Sequence, residues 1–193
     1  VLFRSPIADQ ARVYAEDPTR GFLPSTGRLV RYREPGGPGI RVDSGITEGG
    51  EVSLFYDPMI AKLCAWAPDR AAALDRLAGA LDAFVVRGPA HNIPFLASLV
   101  SHPRFREGRL TTGFIAEEYG ERFEPGPPDQ AMARRLAAIA VALRLREDER
   151  AARTTGQLEG WRYEPERRWS VTVAGQELDV EVMAQSTPLR LVI

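Results

Sequence analysis

The sequence predicts an α+β chain in two parts, on three observations. From Met59 to Trp66 the apolar residues alternate: Met59, Ala61, Leu63 and Ala65 share one face while Lys62 points to the other, the period of a strand. Directly after it, Leu74, Leu77, Ala78, Leu81, Phe84 and Val85 recur at helical spacing. Then FEPGPPDQ, Phe123 to Gln130, places three prolines and a glycine in eight residues, which can continue neither a helix nor a ladder. Before that break, strands and helices mix; after it come one long helical pattern and then only strand patterns. The expected architecture is an antiparallel sheet with helices over residues 1–122, a linker at 123–130, and a long helix with a partial antiparallel β-barrel over 131–193.

Each element has its own signal. RLVRYR (Arg28 to Arg33) and IRVD (Ile40 to Asp43) read as short strands separated by the turn EPGGPG. Asp69, just after Pro68, is suited to cap the first helix, and Gly88 to stop it. Asn92 is placed to cap a second helix carrying Phe95, Leu96 and Leu99, ended by His102-Pro103. A third short helix covers Phe114 to Tyr119 and stops at Gly120. Beyond the break, Asp129 caps a helix running to about Arg150 with Leu136, Ile139, Ala140 and Leu143 as its apolar stripe. LEGWRY, RWSVTV, ELDVEV and LRLVI follow as strands, with Ala174-Gly175-Gln176 as a hairpin turn. The last strand reaches Ile193 without a closing turn, so the barrel is expected to be only part of one.

Composition excludes several functions. The 25 Lys+Arg against 26 Asp+Glu give a net charge of −1, with no basic excess to neutralise phosphates, so nucleic acid is not expected as a partner. No apolar run approaches the ~20 residues that span a bilayer, so no membrane association is expected. The single cysteine, Cys64, allows no intrachain disulfide and fits a reducing compartment: the cytoplasm, or the mitochondrial matrix in a eukaryote. Cys64 with His91 and His102 makes no metal cluster. GGPG at 36–39 lacks the strand-loop-helix setting and lysine of a phosphate loop, and is read as a turn.

Few residues stand out for chemistry. Arg41 offers a planar, permanently charged donor fork suited to a carboxylate, bicarbonate or enolate oxygen, although a lone strand arginine is more often a solvated residue. Asp57, before Pro58, is first a turn former. His91 reads as a local hydrogen-bonding group, His102 as a helix-end residue and Cys64 as an inert thiol. Trp161, Tyr163 and Trp169 suit strand packing better than a ligand cage.

A resemblance adds what spacing alone does not. ARVYAEDPTRGFLPSTGRL, RVDSGITEGGEVSLFYDPMIAKLCAW, DRAAALDRLAGAL and VVRGPAHNIPFLASLVSHPRFREGRLTTGFI are similar, in order, to the C-terminal subdomain of biotin carboxylase, over Arg12 to Phe123. RGPAHNIPFL resembles the propionyl-CoA and acyl-CoA carboxylase branch. AMARRLAAIAVALRLR and the strands after it resemble, more loosely, the domain (BT) that links the carboxylase to the biotin carrier and contacts the carboxyltransferase beta subunit. The resemblance implies ATP- and bicarbonate-dependent carboxylation of protein-bound biotin, and a role for Arg41 in holding bicarbonate and stabilising the biotin enolate. It also implies a fragment. The ATP and Mg²⁺ ligands, a general-base glutamate and a second arginine are expected upstream, and the biotin-bearing lysine downstream. Residues 1–10 match poorly, and the chain is expected to be inactive alone. The alternative is a non-catalytic assembly module that docks the carboxyltransferase beta subunit.

Overall fold

The computed structural model describes residues 7–53, 55–154, 164–184 and 189–193. Contacts divide the chain into a unit ending at Pro125 and a second from Gly126 to Ile193.

The first unit opens with β1 (Ile7–Tyr14), β2 (Glu16–Asp17), β3 (Leu23–Pro24), β4 (Gly27–Arg28), β5 (Arg31–Arg33), β6 (Ile40–Ser44), β7 (Glu51–Val52) and β8 (Met59–Ala67). Helix α1 (Arg70–Ala83), β9 (Val85–Arg87), α2 (Ile93–Ser101), α3 (Pro103–Arg106) and α4 (Phe114–Tyr119) complete it. The main sheet is antiparallel in the order β1-β8-β6. On its inner face Val13 pairs with Ala61, while Ala11 and Val42 both lie beside Leu63. These side chains meet Leu74, Leu77 and Leu81 of α1 in one buried cluster. Asp69 caps α1 as expected, its carboxylate accepting from the Ala72 amide at 2.8 Å.

Several expectations are corrected. RLVRYR is not one strand. Leu29, fully buried, breaks it, so that β4 pairs with β7 and β5 with β9. The first helix ends at Ala83 rather than running through Val85, which belongs to β9. Gly88 therefore follows a strand instead of stopping a helix. Its φ of +125° and its closeness to the Arg28 carbonyl, 2.2 Å from where a Cβ would sit, leave room only for glycine. His102-Pro103 does end α2 as expected, with His102 as its C-cap, but Pro103 also opens the short α3, where its missing N–H is harmless. β1, with no strand foreseen before Arg12, is a full edge strand.

Asn92 is corrected in role. Its side chain makes no cap bond to α2. The amide instead grips the free edge of β1, accepting from the Tyr14 N–H at 2.9 Å and donating to the Arg12 carbonyl at 3.1 Å. It is buried, and it fills the place of a missing neighbouring strand.

In the second unit α5 (Gln130–Ala152) is capped by Asp129, which accepts from the Met132 amide at 2.7 Å. Strands β10 (Arg168–Val173), β11 (Gln176–Ala184) and β12 (Arg190–Val192) form an antiparallel sheet in sequence order. The hairpin turn is the expected one: Ala174 and Gly175 have φ of +48° and +82°, the double left-handed turn that matches strand twist. LEGWRY lies outside the described residues. The apolar stripe of α5 is a second correction. The sheet packs against Ala137, Val141 and Leu145, with Ala133 buried in the same row, whereas Met132, Leu136, Ile139 and Leu143 are 43–56% exposed. The helix carries two apolar rows. The sheet takes the row whose alanines let it approach, which hydrophobicity alone does not select.

Two outcomes follow. Asn92→Ala strands the Tyr14 N–H and the Arg12 carbonyl and lowers the unfolding free energy in urea by about 1–3 kcal/mol. Leu145→Ala costs roughly 2–5 kcal/mol, whereas the same change at Leu143, on the exposed row, stays within about 0.5 kcal/mol.

Candidate functional site

Alternation along the main sheet leaves its second face without helices. Ala8, Gln10 and Arg12 of β1, Lys62, Cys64 and Trp66 of β8, and Arg41 and Asp43 of β6 stand on it. Register fixes the neighbours: Arg12 lies opposite Lys62, Lys62 opposite Asp43, and Cys64 opposite both Gln10 and Arg41. Arg12 and Lys62 are like charges in direct cross-strand register, so this face is set up for negative charge.

Arg41 is the residue singled out beforehand, and its surroundings are specific. Its side chain is 65% exposed. Nε lies 3.2 Å from Asp43 Oδ1, and Nη2 lies 3.8 Å from Cys64 Sγ. Among the described residues Nη1 has no hydrogen-bond or ion-pair partner. The guanidinium is thus tethered on one side and free on the other, the arrangement that an oxyanion ligand needs. The partnership with Asp43 was missed from sequence. Strand alternation was the available signal, since residues two apart in a strand share a face.

The other candidates take local roles. Asp57 Oδ1 accepts from the Met59 amide at 3.1 Å, the turn expected of Asp before Pro. Its charge, after burial itself, holds the Glu16 carboxyl above the usual range. His102 Nε2 pairs with Glu118 at 3.3 Å, and its ring packs edge-on against Phe114. Arg104 also reaches Glu118 and lies over the Phe114 ring. Cys64 is half-buried and free. Trp169 packs into the core of the second unit and donates its Nε1–H to the Glu166 carbonyl at 3.1 Å, while Trp161 and Tyr163 lie outside the described residues. Among the described residues no group of three His, Cys, Asp or Glu could hold a metal ion, and no helix is long and apolar enough to cross a membrane.

His91 is held below its ordinary value, chiefly by burial, and its Nδ1 lacks a hydrogen-bond partner among the described residues. The unfolded chain therefore takes up this proton first. Stability is complete above the ordinary value of 6.5 and falls as the pH drops through it toward the folded value. His91→Gln, which cannot titrate, should flatten the pH dependence of the urea midpoint between about pH 7 and pH 5. Equal slopes for variant and parent would contradict this.

Residues 10–117 match the biotin carboxylase C-terminal domain, and residues 136–191 match the propionyl-coenzyme A carboxylase BT domain. The chain is 44% identical over 197 residues to the propionyl-CoA carboxylase alpha chain of Ruegeria pomeroyi, an alignment covering 92% of this chain and 29% of that protein. It is 46% identical over 138 residues to the mitochondrial alpha chain of Homo sapiens, covering 70% and 19%. Among solved structures, the biotin carboxylase domain of Hydrogenobacter thermophilus 2-oxoglutarate carboxylase, in complex with MgADP, ADP and bicarbonate, superposes with a TM-score of 0.59 at 39% identity, covering 62% of this chain and 26% of that one. Rhizobium etli pyruvate carboxylase gives 0.59 at 41% identity, covering 64% and 12%. The chain thus spans less than a third of the length of each of these proteins. With more than half of its residues in that match and an α+β fold to go with it, the chain belongs to the biotin carboxylase C-terminal domain family, continued by a propionyl-coenzyme A carboxylase BT domain.

Proposed function

We propose that this chain is part of the biotin carboxylase component of an acyl-CoA carboxylase, of the propionyl-CoA type, which carboxylates protein-bound biotin at the expense of ATP and with bicarbonate as the carbon source. The observation that carries the proposal is Arg41: a guanidinium on the open sheet face, tethered through Nε and Nη2, with Nη1 left for an anion. Its task is to hold bicarbonate and then to stabilise the negative charge that develops on the ureido oxygen of biotin. A cation fixed in advance needs little reorganisation when that charge appears. Arg12 and Lys62 on the same face add positive potential. The ATP and Mg²⁺ of the full enzyme are assigned to the part of the subunit that the resemblance places upstream of Arg12.

Residues 123–130 serve as the linker between the two units. The match to the BT domain supports a multi-subunit enzyme. We assign the carboxyltransferase beta subunit as the partner of the second unit, and the biotin carrier domain as the one that presents biotin to Arg41. Location follows the relatives, bacterial for Ruegeria pomeroyi and mitochondrial for Homo sapiens, so the cytoplasm or the mitochondrial matrix is the expected compartment.

In a full-length alpha chain carrying this sequence, Arg41→Ala lowers the rate of biotin carboxylation by about 10²–10³. Turnover close to that of the parent, in a variant with unchanged unfolding, would overturn the proposal.

A further inference from the structure

We infer that Asp43 is a positioning residue for Arg41: it fixes the guanidinium through Nε so that the outer edge faces the anion. The inference rests on the reading of Arg41 given above.

Arg41 and Asp43 are two apart in β6, so both stand on the open face, roughly 7 Å apart along the strand. Short as that distance is for an arginine, the side chain turns along the strand and presents Nε to Asp43 Oδ1 at 3.2 Å. The second tether comes from the neighbouring strand, where Cys64 Sγ lies 3.8 Å from Nη2. Contacts on two different nitrogens of one planar group fix both its direction and its roll. With either removed, a long, half-solvated side chain regains its rotamers.

The charges around Asp43 sharpen the point. Lys62 of β8 stands directly opposite it, with Arg12 of β1 beyond, and Arg41 is on its own strand. Among the described residues, the ion pair that Asp43 forms is with Arg41 and not with the cross-strand lysine. Both partners are more than half exposed, and exposed ion pairs contribute little to stability. The pair matters for orientation, so its loss should be felt in the bicarbonate step and not in the fold.

Two measurements test this. In this chain Cys64 is the only cysteine, so its alkylation by iodoacetamide reports on the guanidinium beside it. Asp43→Ala should shift the alkylation rate to that of Arg41→Ala, with Asp43→Asn in between and the double variant no different from Arg41→Ala. A rate for Asp43→Ala equal to that of the parent overturns the inference, whatever Arg41 does in catalysis. In a full-length alpha chain carrying residues 10–191, Asp43→Ala should raise the bicarbonate KM and lower kcat, reducing kcat/KM about 10- to 100-fold with the unfolding midpoint unchanged. Asp43→Asn, which keeps an acceptor for Nε, should recover part of the loss. If Arg41→Ala loses activity while Asp43→Ala keeps both constants, the positioning role falls and the role of Arg41 stands. If Arg41→Ala keeps its activity, both fall.

Discussion

The first unit depends on the pleat of β8. Ala61, Leu63, Ala65 and Ala67 point inward and are almost fully buried, while Lys62, Cys64 and Trp66 point outward. Both flanking strands take their register from it. A slip of one residue would put lysine and tryptophan into the core and expose the leucine, so the buried face fixes the pairing. That same register sets Cys64 beside Arg41 and Lys62 beside Asp43. The core on one side of the sheet is what positions the charges on the other.

Small devices hold β6 and β1 against β8. Gly39, with a φ of +80°, leads into β6, and a Cβ there would lie 2.2 Å from Arg76 Nη1, which donates to the Trp66 carbonyl at 2.6 Å. The glycine lets a guanidinium of α1 reach the backbone of the central strand, tying helix, strand and the entry to β6 together. Asn92 does the same for β1, supplying side-chain hydrogen bonds where an edge strand would otherwise leave its backbone unpaired. Arg70 adds a further tie, from α1 to Asp9 of β1 and to the Phe105 carbonyl. Arg41 and Asp43 make none of these bonds and stay solvent-facing on the sheet.

The second unit shows how packing resolves what pattern leaves open. Helix α5 has two apolar rows. One is rich in large side chains, the other mixes alanines with Val141 and Leu145. A flat sheet approaches a helix most closely over small residues, and the larger row is left outward. Hydrophobicity favours the row with Leu136, Ile139 and Leu143; close approach favours the other.

Local signals determined much of this protein. The alternation of β8, the caps Asp69 and Asp129, the helix at Phe114 to Tyr119 and the turn at Ala174-Gly175 were legible in the sequence, because each depends on residues within a few positions of one another. The role proposed for Arg41 came only from the resemblance carried by RVDSG, since one arginine in a strand has no signature of its own. Tertiary structure decided the rest. It set β1 at the edge of the sheet, split RLVRYR between two partners, moved the Asn92 amide from a helix cap to a strand edge, chose the inner row of α5 and brought Asp43 and Cys64 to the guanidinium of Arg41. Each of these depends on contacts between residues distant in sequence or on which of two faces is covered, and local spacing carries no record of either.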